Sequence, residues 1–275
     1  MSHPQQIKLS DGPYIMGIIN VTPDSFSDHG LYATTEKAIE HAERLIQEGA
    51  DILDIGGEST RPGSLEVRVE EELRRVIPVV EILSLKNVPI SVDTSKPEVM
   101  QAAINAGASI INDVNALQAP GAIEIVAKSN AMVCLMHMKG KPRSMQENPH
   151  YVDVVSEVKN FLQQRIDTAN SSGIPCDRLI IDPGFGFGKT FEHNLELFRN
   201  IDQFTKMNIP VLVGLSRKSM LGKITGNDVD NRVHASVAAA LLAVTKGAKI
   251  LRVHDVKATK DAIMVHDALI CREHC

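Results

Sequence analysis

The sequence predicts an α/β protein built as one closed (β/α)8 barrel, and three observations carry that expectation. Eight short, nearly continuous apolar runs punctuate the 275 residues, as parallel strands covered on both faces do. Three stretches repeat one another: "EGADILDI" from Glu48, "AGASIIND" from Ala106 and "KGAKILRV" from Lys246. Long Pro- and Gly-rich segments follow the strands on one side only, and the connections on the other side are short.

The runs, in order, are "YIMGIIN" to Asn20, "DILDIG" to Gly56, "ISVDT" to Thr94 and "IINDV" to Val114. "MVCLMH" to His137, "LIIDPG" to Gly184, "VLVGLS" to Ser216 and "ILRVHD" to Asp255 complete the set. Helical spacing separates them, as in Ala38, Ile39, Ala42, Leu45 and Ile46. Eight such units in roughly 250 residues favour a closed barrel; an open doubly wound sheet is the runner-up, and no linker divides the chain. The expectation is a single domain over 1–275, with its core roughly at 14–270.

Within the repeat, Gly49, Gly107 and Gly247 stop their helices, because glycine accepts the left-handed cap conformation. Five places after each glycine stands a polar residue: Asp54, Asn112 and Arg252. The long segments "NVTPDSFSDHG", "GGESTRPGS" and "MKGKPRSMQENPH" follow the first, second and fifth runs. They belong at the C-terminal face of the strands, where barrel active sites are built.

Composition excludes several classes of function. The net charge of −5 comes with no run of five like charges, so nothing points to nucleic acid or an acidic membrane surface. Cys134, Cys176, Cys271 and Cys275 form no C-x-x-C pair. The N-terminus lacks the blocks of a signal peptide, and no apolar run is long enough to span a bilayer. A soluble cytoplasmic protein is expected.

Nine polar residues converge on the strand ends: Asn20, Asp54, Asp93, Asn112, His137, Asp182, Lys218, Arg252 and His254. One such residue is ordinarily a turn former or helix cap. Nine on one rim require a polar ligand, because uncompensated buried polar groups are costly. Asp93 and Asp182 accept from ring or amino N–H groups, Asn112 donates and accepts, and Lys218 donates. Arg61, Arg252 and His254 suit phosphate oxygens. The set fits a polar heterocycle carrying an anionic group.

Other readings fail on spacing. No H-E-x-x-H or tight ligand cluster suggests zinc, and "GLSRKS" is not the G-x-S-x-G elbow of a nucleophilic serine. "DPGFGFGKT" looks like a phosphate-binding loop, but the first glycine of G-x-x-x-x-G-K would have to be Pro183.

The ordered motifs "MGIINVTPDSFSDHG", "DIGGESTRPGS", "SVDTSKPEV", "INDV", "LMHMKGKPRSMQ", "DPGFGFGKT", "GLSRKSMLG" and "RVHDV" resemble the bacterial dihydropteroate synthase family across Tyr14 to Val256. Lys139 and Ser144 depart from the usual glutamine and threonine.

The resemblance implies a TIM barrel, a homodimer, a Mg²⁺ cofactor and sulfonamide as an inhibitor class. It also implies condensation of 6-hydroxymethyl-7,8-dihydropterin pyrophosphate with p-aminobenzoate. By motif, Asp93, Asn112, Met136, Asp182, Gly214, Lys218 and Arg252 would hold the pterin. Thr60, Arg61, Pro62, Phe187 and Ser216 would form the p-aminobenzoate side, and Asn20 would help hold Mg²⁺. Thr22, Asp24, Phe26 and Ser27 would belong to a lid, and Arg61, Lys218, Arg252 and His254 would be catalytic. The competing readings are a methyltetrahydrofolate-dependent methyltransferase, a non-catalytic pterin-binding relative and a phosphate-binding barrel aldolase. "STRPG" and the basic pair of "RVHDV" favour the synthase, and Lys218 lies just beyond its strand, where a Schiff-base lysine is not expected.

Overall fold

The computed structural model describes residues 12–22, 30–59 and 63–270. The first half of the chain runs β1 (Tyr14–Asn20), α1 (Gly30–Gln47), β2 (Ile52–Gly56), α2 (Val69–Leu83), β3 (Ile90–Asp93), α3 (Pro97–Asn105), β4 (Ile110–Asp113) and α4 (Ala122–Ala127). The second half runs β5 (Met132–Met136), α5 (Val154–Ser171), β6 (Leu179–Asp182), α6 (Phe191–Arg199), α7 (Ile201–Thr205), β7 (Leu212–Val213), α8 (Ser219–Thr225), α9 (Val233–Thr245), β8 (Ile250–Val253) and α10 (Val256–Ile270).

All eight strands are parallel, in the order β6-β5-β4-β3-β2-β1-β8-β7. The remaining seam, between β6 and β7, is bridged at Ile181 and Val211, with Ile181 N donating to Pro210 O at 3.0 Å. The barrel is nearly closed. β7 is far shorter than the expected run to Ser216: Pro210 has no N–H to give, and the chain leaves the ladder at Gly214.

Side chains alternate across each strand, and the register decides which face the interior. Met16 pairs with Ile52, Asn112 with Cys134 and Leu212 with Ile250. Met16, Ile52, Ile110, Cys134, Ile180, Leu212 and Ile250 form a fully buried inner layer. Two residues further along the same strands come Ile18, Asp54, Asn112, Met136, Asp182, Gly214 and Arg252. The barrel is therefore greasy below and polar above.

The larger apolar cluster lies outside the strands, where Leu53, Ile111, Val133 and Ile181 meet the helices. The helix stops behave as the repeat implies. Gly49, Gly107 and Gly247 have φ of +97°, +109° and +94°. The next residue in each case (Ala50, Ala108, Ala248) donates back to Leu45, Ala103 and Ala243 at 2.9, 2.9 and 3.0 Å. That 6→1 bond is the Schellman cap, and it delivers each strand in the same register to its helix.

Candidate active site

The three polar residues marked by the repeat meet at the floor of the polar layer. Arg252 Nε donates to Asp54 Oδ2 at 2.6 Å, and Arg252 Nη2 to Asp93 Oδ2 at 2.8 Å. Asn112 Nδ2 lies 3.3 Å from Asp54 Oδ2, and Ser91 Oγ donates to Asp54 Oδ1 at 2.6 Å. Asp54 is fully buried and spends its oxygens on this network. Arg252 has no other close carboxylates among the described residues and keeps a partly exposed edge.

Burial pushes Asp93 up to about 7, with Arg252 opposing it and Asp54 adding to the rise. Burial also opposes the charge of Arg252, but Asp54 and Asp93 more than offset it and hold the guanidinium above its ordinary value. Asp182 is raised by burial, against the pull of Lys218 and of the Gly184 N–H, which donates to its Oδ1 at 2.7 Å. Burial brings Lys218 down to about 8, with Asp182 holding it from falling further. Beneath them, burial and the same carboxylates push the Cys134 thiol well up, so it is an inert wall. The ring thus offers two carboxylates, an amide and an ammonium at the end of an otherwise apolar pit. Met136 and Gly214 are buried beside these groups.

The loop after β6 reaches the same place from above. Gly184 has φ +71°, and a Cβ there would lie 1.8 Å from the carbonyl oxygen of His137. Only glycine lets the loop rest on the end of β5. Lys218 Nζ donates to Phe185 O and lies 4.7 Å from the centre of the Phe187 ring. Phe187 and Lys218 therefore share one wall. Lys189, whose role the sequence left open, is buried under this loop and points at His137.

On the adjoining wall, Ser216 Oγ accepts from His254 N and sits 3.1 Å from His254 Nδ1. Arg217 forms a two-point ion pair with Asp255. A cleft of about 730 Å³ opens here, lined by Asn20, Lys37, His41, Arg44, Arg217, His254 and Lys257 among others. Glu40, Glu48 and Asp255 share that lining, so the cleft mixes both signs of charge, with Asn20 and His254 at its edge nearest the strand ends.

The base of the second loop is tied down as well. Glu58 Oε1 accepts from Val67 N at 3.1 Å, and Lys96 Nζ bridges Glu58 to the fully buried Glu72. Arg75 Nη1 donates to Gly57 O at 2.8 Å.

The structure brings together Asp93, Asn112, Met136, Asp182, Gly214, Lys218, Arg252 and Phe187, with Asn20, Ser216 and His254 on the adjoining wall. Thr22 lies two residues beyond β1. Asp24, Phe26, Ser27, Thr60, Arg61 and Pro62 lie outside the described residues, as do Cys271 and Cys275. Lys139 faces away from the pit, toward His150 O and Glu157, and Ser144 is exposed. Asp54 is a site residue to which the motifs assign no role of its own; its offset from Gly49, the same as that of Arg252 from Gly247, is the signal that marks it. Gln146 and Tyr151, which reach the β6 loop, carried no signal of comparable strength.

A family model described as pterin binding enzyme matches residues 16–254. The dihydropteroate synthase of Haemophilus influenzae is 52% identical over 257 residues, 93% of this chain and 94% of its own length. The solved dihydropteroate synthase of Xanthomonas albilineans with 4-aminobenzoic acid superposes with a TM-score of 0.89 at 55% identity, covering 94% of this chain and 93% of that one. A second structure from that organism, in complex with 7,8-dihydropteroate, gives 0.85 at 50% identity, covering 96% and 94%.

Proposed function

The chain belongs to the dihydropteroate synthases of the pterin-binding enzyme family, and on that premise we propose how its own residues perform the reaction. The reaction joins 6-hydroxymethyl-7,8-dihydropterin pyrophosphate to p-aminobenzoate and yields 7,8-dihydropteroate and pyrophosphate. The observation that carries the reading is the convergence of Asp93, Asn112, Asp182 and Lys218 around Arg252 above an apolar floor.

In this reading Asp93 and Asp182 accept the amino and ring N–H groups of the pterin, Asn112 adds a mixed contact and Lys218 donates to a ring acceptor. Met136 and Gly214 border the ring. Arg252 lies flat against it and, with His254 and Arg61, faces the pyrophosphate. Thr60, Arg61, Pro62, Phe187 and Ser216 form the p-aminobenzoate side, and the loop carrying Thr22, Asp24, Phe26 and Ser27 closes as a lid.

Among the described residues no group of three or more His, Cys, Asp or Glu side chains could cage a metal. Asn20, at the end of β1 and on the lining of the cleft, would hold a Mg²⁺ ion through its carboxamide oxygen. Bound Mg²⁺ supplies charge neutralisation to the leaving group. Arg252 and His254 add to it from the protein side. The C–O bond to pyrophosphate breaks first, the electron-rich dihydropterin shares the resulting positive charge, and the weakly nucleophilic arylamine then forms the C–N bond and loses a proton. No protein nucleophile is required. A ¹⁵N or ¹³C isotope effect reporting strong bonding to the nucleophile at the transition state would contradict this order.

The titrations give a test of the pterin pocket. Asp93 near 7 must be ionised to accept, so pterin affinity rises with pH through about 7; Lys218 near 8 must be protonated to donate, so affinity falls above about 8. Binding near pH 7 therefore releases a proton. Calorimetry in buffers of different ionisation enthalpy should show that release in the wild type and lose it in Asp93→Asn. A binding enthalpy independent of buffer in the wild type would count against Asp93 as the acceptor.

The reading includes one domain over the chain, a cytoplasmic location and a homodimer. No helix among the described residues is long and apolar enough to cross a membrane. α9 and α10 leave Leu242, Met264, Val265, Leu269 and Ile270 exposed, an apolar face suited to a second copy. Light scattering at micromolar concentration should give twice the chain mass, and Met264→Glu with Leu269→Glu should give the monomer.

A further inference from the structure

Lys189 is only 3% exposed, and among the described residues no carboxylate lies within salt-bridge distance of it. Four acceptors surround its Nζ instead: Gly184 O at 2.8 Å, His137 Nδ1 at 2.9 Å, Phe187 O at 3.0 Å and His137 O at 3.4 Å. Burial and the neighbouring Lys189 bring His137 down to about 2, so its ring is neutral, and in the tautomer protonated at Nε2 its Nδ1 accepts from Lys189.

The rest of the loop is held the same way. Phe185 O accepts from Lys218, Gly186 O from Gln146 Nε2, and Gly188 O from the Tyr151 hydroxyl at 2.9 Å. Five successive carbonyls, from Gly184 to Gly188, are thus each taken by a side chain, two of them by Lys189. A loop without secondary structure ordinarily leaves such groups to water. Here they are fixed, and the residues they fix include Phe187 and the carbonyl that meets Lys218. Thr190 then caps α6 through His193, so Lys189 stands where the rigid helix begins.

We propose that Lys189, braced by Gln146 and Tyr151, is a positioning residue of the p-aminobenzoate subsite. It locks the Gly184–Gly188 loop onto the end of β5 so that Phe187 and Lys218 present one preformed wall. Asp182 stands on β6 and meets this loop only through the Gly184 N–H, so the pterin contacts depend less on Lys189. This rests on the functional reading above.

The test separates the two substrates. Lys189→Met should raise the KM for p-aminobenzoate by about tenfold or more while pterin affinity stays within about threefold. The amides of residues 184–188 should exchange faster in the variant. Equal KM values and unchanged exchange in a folded variant overturn the proposal, as does a parallel loss of pterin affinity, which would mark a general structural role. Should Lys189→Met fail to fold, Gln146→Ala carries the test, because Gln146 is exposed. It should raise the p-aminobenzoate KM and loosen the same amides with pterin affinity unchanged, and wild-type values for both would sink the idea. A wild-type chain that makes no product refutes the functional reading instead, and the exchange rates still decide whether Lys189 and Gln146 hold the loop.

Discussion

Arg252→Met should cost the enzyme both its turnover and much of its stability. The guanidinium neutralises Asp54 and Asp93 at once, and removing one partner of a buried pair costs about 3–5 kcal/mol. Loss of a cation aimed at a departing anion lowers turnover by about 10²–10³-fold. The stability deficit has a defined pH dependence. Asp93 stands near 7 with Arg252 holding it down, so in the variant it rises further. Below about 7 it is protonated in both folded proteins and adds little to the difference; above that value only the variant resists its ionisation. The deficit therefore widens as pH rises past about 7. Urea unfolding at pH 6 and pH 8.5 reads this directly. A deficit independent of pH would mean that Arg252 does not neutralise Asp93.

Lys218→Met is the second large effect. A hydrogen bond to a charged group is worth about 1.5–3 kcal/mol, which corresponds to a loss in kcat/KM of roughly tenfold to 150-fold. Lys218 also holds Phe185 O and covers Phe187, so p-aminobenzoate use should suffer with the pterin. Asp182→Asn probes the same pair from the other side. Asp182 is what keeps Lys218 from falling below about 8 against its burial. Without that charge the alkaline limb of the pH–rate profile should move to lower pH. The double variant should lose less than the sum of the single losses, because the two groups act on one another. Near-wild-type kinetics in Lys218→Met would remove the residue from the site.

Much of this arrangement is legible in the sequence because a barrel is a local pattern repeated. The apolar runs, the glycines at 49, 107 and 247 and the polar residue five places later are all short-range features. They place Asp54, Asn112 and Arg252 at one level before any contact is known. What they cannot express is that Arg252 reaches Asp54, 198 residues away, since that depends on β8 closing against β1. The shortness of β7 is likewise a property of its seam with β6, which is bridged only at Ile181 and Val211 among the described residues.

Lys189 shows the limit in another form. In "DPGFGFGKT" it resembles a phosphate-binding lysine, and spacing excludes that reading without supplying another. Its role depends on the close approach of Gly184 to His137 and on acceptors contributed by two loops. No periodicity encodes such a cage. The polar residues Asp93, Asn112, Asp182 and Arg252, by contrast, are legible because each stands on a strand, at or near its C-terminal end.

The most direct measurement is turnover by the purified chain with 6-hydroxymethyl-7,8-dihydropterin pyrophosphate, p-aminobenzoate and Mg²⁺. The expected products are 7,8-dihydropteroate and pyrophosphate in equal amounts, suppressed by a sulfonamide that competes with p-aminobenzoate. A folded chain that binds the pterin yet forms no dihydropteroate would contradict the proposed reaction.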